Sequence, residues 1–314
     1  MSTVTSSRRD FWLIVGASLS WGTVGVANQA IYAHVATNAL SLAFFRLLVA
    51  APLFVLASRL LPGRLFQVKL RDLIIMLLMG VMQALYQASY SAAIAYAGVT
   101  VPTLVALCAA PIIVALFSTL VTRERLSILT LIALVGALIG TFLLVEARPH
   151  TNGGNVSLLG VLLALAAGAG YAGFILCGRL LTSSYHALHV NAVAFAAGAF
   201  LLLLLAVPTG LTLSYPLWAW LLLLYLGCVP TALAYGLFQI GMRSLSATIV
   251  SIVTLCEPLA AALLAWIFFH EELGPIGLLG AALLLGAMVL ILLFPKEQPA
   301  RDILPVQGEP VDPL

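Results

Sequence analysis

Gln83, Tyr86, Gln87 and Tyr90 recur at i, i+3, i+4 and i+7 within an otherwise apolar stretch. That spacing puts two amides and two phenols on one face of a helix. A second set, Thr231, Tyr235, Phe238 and Gln239, repeats the pattern further along the chain. Amides can hold an amino or a carboxylate group, and phenols add flat apolar surface. This is the chemistry of binding. The bland alternative is that these groups hydrogen-bond between helices and hold a bundle together.

Four more residues join them. Trp21 sits mid-way along an apolar run beside Gly22 and Gly25, and Tyr171 occupies the related place later in the chain. Both could line a cavity or pack in a core. Arg46 and Glu257 are charges inside apolar runs. Such an Arg costs at least about 2.5 kcal/mol at the centre of a membrane helix, so it needs a reason. Glu257 precedes Pro258, which removes a backbone hydrogen bond and can leave the helix locally open. Glu257 could bind a proton or a substrate amine. Arg46 could contact a carboxylate or act in gating. Structural pairing of the two with each other is the alternative.

The elements that carry these groups belong in a membrane. Hydrophobic residues make up 63% of the 314 residues, charged ones 8%, and mean hydropathy is +1.14. A soluble domain carries about 25% charge. The spacing predicts an all-α membrane protein of ten helices: 11–31, 39–60, 73–95, 100–121, 128–145, 158–177, 189–207, 217–239, 247–269 and 275–294. Asn28, in the first of these, reads as packing glue.

The chain also repeats itself 147 residues apart. Gly80 falls on Gly227, Pro111 on Pro258, Glu124 on Glu271 and Leu126 on Leu273. Each copy holds five spans, an odd number, so the second copy enters the membrane from the opposite side. Two inverted five-helix repeats follow, with a candidate site at the midplane between them. The expected organisation is a cytoplasmic N-terminus over 1–10, a first repeat over 11–146, an extracytoplasmic linker over 147–157, a second repeat over 158–294 and a disordered cytoplasmic tail over 295–314.

Loop charge sets the expected orientation. With the N-terminus inside, the inner segments hold Arg8, Arg9, Arg59, Arg64, Lys69, Arg71, Arg123, Arg125, Arg179, Arg243, Lys296 and Arg301, and the outer loops hold only Arg148. This asymmetry puts both termini in the cytoplasm. Trp12, Trp218, Trp220 and Trp266 fall near the boundaries as interfacial anchors. Ser7-Arg8-Arg9-Asp10-Phe11 looks superficially like a twin-arginine signal, but the many apolar runs behind it argue for a helix anchor.

Other chemistries find little support. The four cysteines lie in or beside apolar runs without CxxC spacing, and the histidines (34, 150, 186, 189, 270) fall in loops or at helix ends, so neither metal nor cofactor is called for. Glu124, Glu271 and Glu272 read as helix-end caps. No phosphate-binding glycine loop and no intramembrane Gly-x-Ser-Gly turn occurs, so an ATPase or a rhomboid-type protease is not indicated. A net charge of +3 without a basic patch gives no sign of nucleic acid. An inverted two-fold repeat suits an ion channel poorly.

Taken together, Ser20-Trp21-Gly22, Phe45-Arg46-Leu47, Pro111…Arg123-Glu124-Arg125-Leu126, Tyr171-Ala172 and Glu257-Pro258…His270-Glu271-Glu272-Leu273 resemble the drug/metabolite transporter superfamily, specifically its EamA-like ten-helix exporters. The resemblance covers about residues 11–294. It implies a non-enzymatic exporter of small metabolites, amino acids or drugs, working by alternating access in the bacterial inner membrane among its lipids. The profile is most similar to the aromatic amino acid exporters. The expected cargo is therefore an amino acid with an aromatic or large apolar side chain, with proton coupling through Glu257 as an option. The expected binding set is Trp21, Gln83, Tyr86, Gln87, Tyr90, Tyr171, Tyr235 and Gln239, with Arg46 and Glu257 in coupling or gating. A multidrug or lipophilic-cation exporter and a lipid-linked substrate flippase are the alternatives. The four-helix relatives that export cationic drugs use a Glu in their first helix, and the first helix here has none.

Overall fold

The computed structural model describes residues 2–59, 68–97, 100–120, 126–146, 157–182, 184–269 and 274–294. The expected tail over 295–314, nearly all of the linker, Glu124, Glu271, Glu272, His150 and His270 lie outside the described residues.

Among the described residues ten helices are long and apolar enough to cross a membrane. They are α1 (Ser2–Tyr32), α2 (Ala39–Arg59), α3 (Leu70–Ala97), α4 (Thr100–Leu120), α5 (Ile128–Glu146), α6 (Leu158–Leu181), α7 (Ala187–Ala206), α8 (Leu217–Gly241), α9 (Ala247–Leu264 as a span) and α10 (Pro275–Leu293). Their starts are written in the sequence. Ser157, His186 and Ser246 cap α6, α7 and α9 by accepting from a backbone N–H one turn in, and Pro275 opens α10. α1 begins well before the expected Phe11.

The packing pattern is that of two repeats. α2 packs on α7 and α5 on α10, each helix on its own counterpart. The remaining large contacts exchange in pairs: α3·α6 with α8·α1, α4·α6 with α9·α1, and α3·α7 with α8·α2. Repeat-matched glycines make one such exchange possible. A Cβ on Gly80 of α3 would strike the Ala194 carbonyl of α7, and one on Gly227 of α8 would strike Val49 of α2. On the self-paired contact, Gly140 and Gly280 meet reciprocally, each with a Cβ position 2.7 Å from the other's carbonyl. Gly136, one turn before Gly140, has open space beside it.

The surface is apolar and much of the polarity is inside. Leu116, Leu120, Ile128, Leu162, Leu221 and Leu278 are exposed, while Gln83, Thr141, Asn191, Thr231, Gln239 and Thr248 are buried. That arrangement suits a hydrocarbon solvent, where interior hydroxyls and amides join helices.

Two helices depart from regularity, and both belong to the second repeat. α8 contains a π-helical turn over Cys228–Leu233 around Pro230. Proline has no N–H to donate and crowds the preceding turn, and one extra residue in the turn accommodates both. α9 is broken between Ala247–Val253 and Cys256–Phe269, just before Glu257-Pro258. Their counterparts α3 and α4 are continuous, although α4 carries Pro111.

Candidate functional site

The π turn decides where the polar face of α8 points. Thr231 Oγ1 donates to the Leu226 carbonyl five residues back (2.7 Å), which only a widened turn allows. The same oxygen then accepts from Arg46 Nε of α2 (3.3 Å). One turn on, the Tyr235 hydroxyl accepts from Gln83 Nε2 of α3 (3.0 Å), and Asn191 of α7 donates to the Tyr235 carbonyl (3.0 Å). A further turn on, Gln239 Nε2 donates to the Gly178 carbonyl of α6 (3.0 Å). Gln83 and Gln239 are thus fully buried crosslinks, with no surface open to a cavity in this conformation. Gln87 is also buried.

The aromatic residues form one continuous column. Tyr90 stacks on Tyr86 (6.1 Å between centroids) and Tyr86 lies 5.3 Å from Tyr171. Tyr171 lies 6.4 Å from Trp21, which lies 4.8 Å from Tyr235. Below it, Phe174, Phe195 and Phe238 surround Tyr235 and close the column. Close helix approach fixes the geometry. A Cβ on Gly170 of α6 would sit 2.8 Å from the Tyr86 backbone nitrogen, and one on Gly22 of α1 would sit 2.6 Å from Ala260 Cβ and 3.1 Å from the Glu257 carbonyl. Gly25, in contrast, touches nothing.

Within this packed centre some surface stays open. Tyr86, Tyr90 and Glu257 are only partly buried, so part of each side chain keeps open surface. Trp21 Nε1, Gln83 Oε1 and Asn28 Oδ1 are buried without a hydrogen-bond partner. Buried polar atoms without a protein partner are commonly satisfied by water. Thr254, at the break in α9, stands beside the Tyr171 hydroxyl.

Arg46 and Glu257 face this centre from opposite repeats. They are near enough to feel each other's charge. Yet among the described residues the only ion pair is Arg9–Asp10 (2.9 Å), so the two do not neutralise one another by contact. Arg46 uses Nε on Thr231, and among the described residues none hydrogen-bonds to the terminal nitrogens of its guanidinium or to the carboxylate of Glu257. No His, Cys, Asp or Glu cluster able to hold a metal occurs among the described residues, and the cysteines are unpaired.

Sequence reading missed Asn191, Thr254 and the latches at the two faces. On the face where α1 begins, the Tyr185 hydroxyl donates to Asp72 (2.8 Å) and Arg179 donates to the Met242 and Arg243 carbonyls. On the opposite face, Thr37 and Tyr215 share a hydrogen bond (2.7 Å), and Asn38 donates to the Gly210 carbonyl (2.9 Å). The two tyrosine latches occupy repeat-related places. Asn191, a lone amide in an apolar run, carried a readable signal. The latches did not, because each joins residues far apart in the chain, from 63 to 178 positions.

Comparison with known proteins decides the family. The EamA-like transporter family model matches this chain twice, over residues 10–146 and 158–293. The chain belongs to the EamA-like transporter family. It is a multi-pass membrane transporter of small molecules. A Bacillus subtilis protein named as the uncharacterised transporter YwfM is 32% identical over 295 residues, spanning 91% of this chain and 94% of that one. The uncharacterised inner membrane transporter YicL of Salmonella typhimurium is 28% identical over 91% of this chain and 96% of its own. The threonine/homoserine exporter RhtA of Escherichia coli is 29% identical over 62% of this chain and 63% of its own. A solved crystal structure superposes with a TM-score of 0.78 over 90% of this chain and 96% of that one at 20% identity, which speaks to the fold.

Proposed function

We propose that this transporter exports an amino-acid zwitterion through the midplane crevice by alternating access. One observation carries the reading: Arg46 and Glu257 face the same centre from different repeats without an ion pair between them. Two uncompensated opposite charges are expensive in a membrane, and a cargo that brings a carboxylate to one and an amine to the other neutralises both. Tyr86, Tyr90, Tyr171 and Trp21 supply flat walls suited to an aromatic or large apolar side chain. Gln83 and Gln239 hold those walls in place. The amino-acid class named for RhtA is in keeping with this reading. A lipophilic-cation exporter would use Glu257 but leave Arg46 to repel the cargo.

The test is efflux from proteoliposomes loaded with tryptophan, phenylalanine, threonine or homoserine, with and without a pH gradient. The expected result is efflux of a zwitterion and little movement of phenethylamine or phenylacetate, which each lack one charge. Arg46→Gln should cut zwitterion efflux more than tenfold, and so should Glu257→Gln. Movement of phosphorylated sugars or dicationic drugs without any amino acid would sink the reading. A gradient effect lost in Glu257→Gln assigns the coupling proton to that carboxylate.

Orientation belongs to the same proposal, with both termini cytoplasmic. In a cysteine-free background, His150→Cys should react with an impermeant maleimide on intact cells, and Phe66→Cys only after permeabilisation. The reverse pattern would invert the direction of transport.

A further inference from the structure

A lateral groove opens on the outer surface between α2 and α3, floored by α7. Its volume is about 620 Å3. Val55 and Arg59 line it from α2, Leu77 and Val81 from α3, and Ala196 and Phe200 are among those lining it from α7. It is almost wholly apolar. Among the described residues its one charged lining residue is Arg59, the last residue of α2, which is exposed and has no hydrogen bond or ion pair to the described residues.

Groove length and charge placement agree with each other. Along α7 the lining runs from Ala192 to Leu201, and Ala192 lies one turn and a half from the helix start. At 1.5 Å per residue the groove reaches from near the membrane boundary to about 20 Å in. One leaflet of hydrocarbon is about 15 Å thick, half of the roughly 30 Å core. The cation therefore sits at headgroup level and the apolar trough extends through one leaflet.

We propose that this groove is a binding site for one anionic phospholipid from the leaflet on the Arg59 side. An acyl chain lies over Ala196 and Ala197, and the phosphate meets the Arg59 guanidinium. The small side chains on the floor make the trough. The volume falls within the about 300–1,000 Å3 of ordinary small-molecule sites.

Native mass spectrometry of the detergent-purified chain, titrated with phosphatidylglycerol or phosphatidylcholine, tests this. The wild type should retain one phosphatidylglycerol in preference to phosphatidylcholine. Arg59→Gln should weaken phosphatidylglycerol about fivefold, the effect of one cation at a membrane surface, and leave phosphatidylcholine unchanged. Ala196→Trp fills the groove and should abolish retention of both, with Val81→Trp as an independent filler should the first fold poorly. Equal retention of the two lipids in wild type, or filled variants that bind as before, would overturn the proposal. So would a dimer that excludes lipid, because a second copy would then cover the groove.

Discussion

The two repeats share a scaffold and divide the chemistry. The first supplies the buried cation, Arg46, and its helices run unbroken through α3 and α4. The second supplies the carboxylate, Glu257, and both irregular helices, the π turn of α8 and the break in α9. At the position matching Glu257 the first repeat has Ala110, which is buried. Where the repeats must pack alike they are alike: Gly80 and Gly227 do the same job at the exchanged contacts. Symmetry is thus kept where helices meet and given up where a cargo would be read. An object with a positive and a negative end is not matched by a site that presents the same charge twice.

The strongest way to break this comparison is to move the carboxylate. Glu257→Ala combined with Ala110→Glu keeps composition and net charge but places the acid in the first repeat. Ala110 lies in packed surroundings on a continuous helix, and an uncompensated buried charge costs about 3–5 kcal/mol. The expected outcome is loss of efflux to background and a clearly lower melting temperature. Efflux restored above that of Glu257→Ala alone would mean that the division between repeats is dispensable.

The shared scaffold can be tested for equality. Gly80→Ala and Gly227→Ala each force a methyl into the facing helix, and overpacking of that kind costs about 1–3 kcal/mol. Both should lower stability by similar amounts in detergent unfolding. Gly136→Ala, with open space beside it, should be neutral or slightly stabilising. A large difference between the Gly80 and Gly227 variants would show that the exchanged contacts are not equivalent.

The ten helices were legible because hydrophobic run length is a local signal, and their grouping because the same pattern recurs 147 residues on. The faces of α3 and α8 were legible from period alone. The roles on those faces were harder to read. Gln83 and Tyr86 look alike in sequence, yet one crosslinks to Tyr235 and the other keeps open surface beside the crevice. The difference depends on the π turn at Pro230, which rotates Thr231 and Tyr235 toward α2 and α3. Proline announces a disturbance in a helix but not whether it becomes a kink, a break or a π turn. Pro111 shows the point, since its helix continues unbroken.

The smallest effect concerns the two faces. The latch at Asp72 and Tyr185 ends on a carboxylate, while its counterpart at Thr37 and Tyr215 is neutral, so only the first carries charge. Next to it, His186 caps α7 by accepting from Leu188 N–H through Nδ1 (3.3 Å), which requires the neutral ring. Partial burial lowers its pKa, helped by the nearby Arg243 and by His189. A lowered folded-state value means that the folded chain binds fewer protons than the unfolded one. The cap is therefore in place above the ordinary histidine value of about 6.5 and is lost as pH falls through the lower folded value. Melting temperature should decline modestly as pH falls from about 6.5 through that lower value. His186→Asn keeps a capping oxygen but cannot titrate there, so its decline should be shallower. Thr37→Val, on the opposite face, should shift the whole curve without changing its slope. Identical slopes for wild type and His186→Asn would place the pH sensitivity elsewhere, and a changed slope in Thr37→Val would mean that the two faces are coupled.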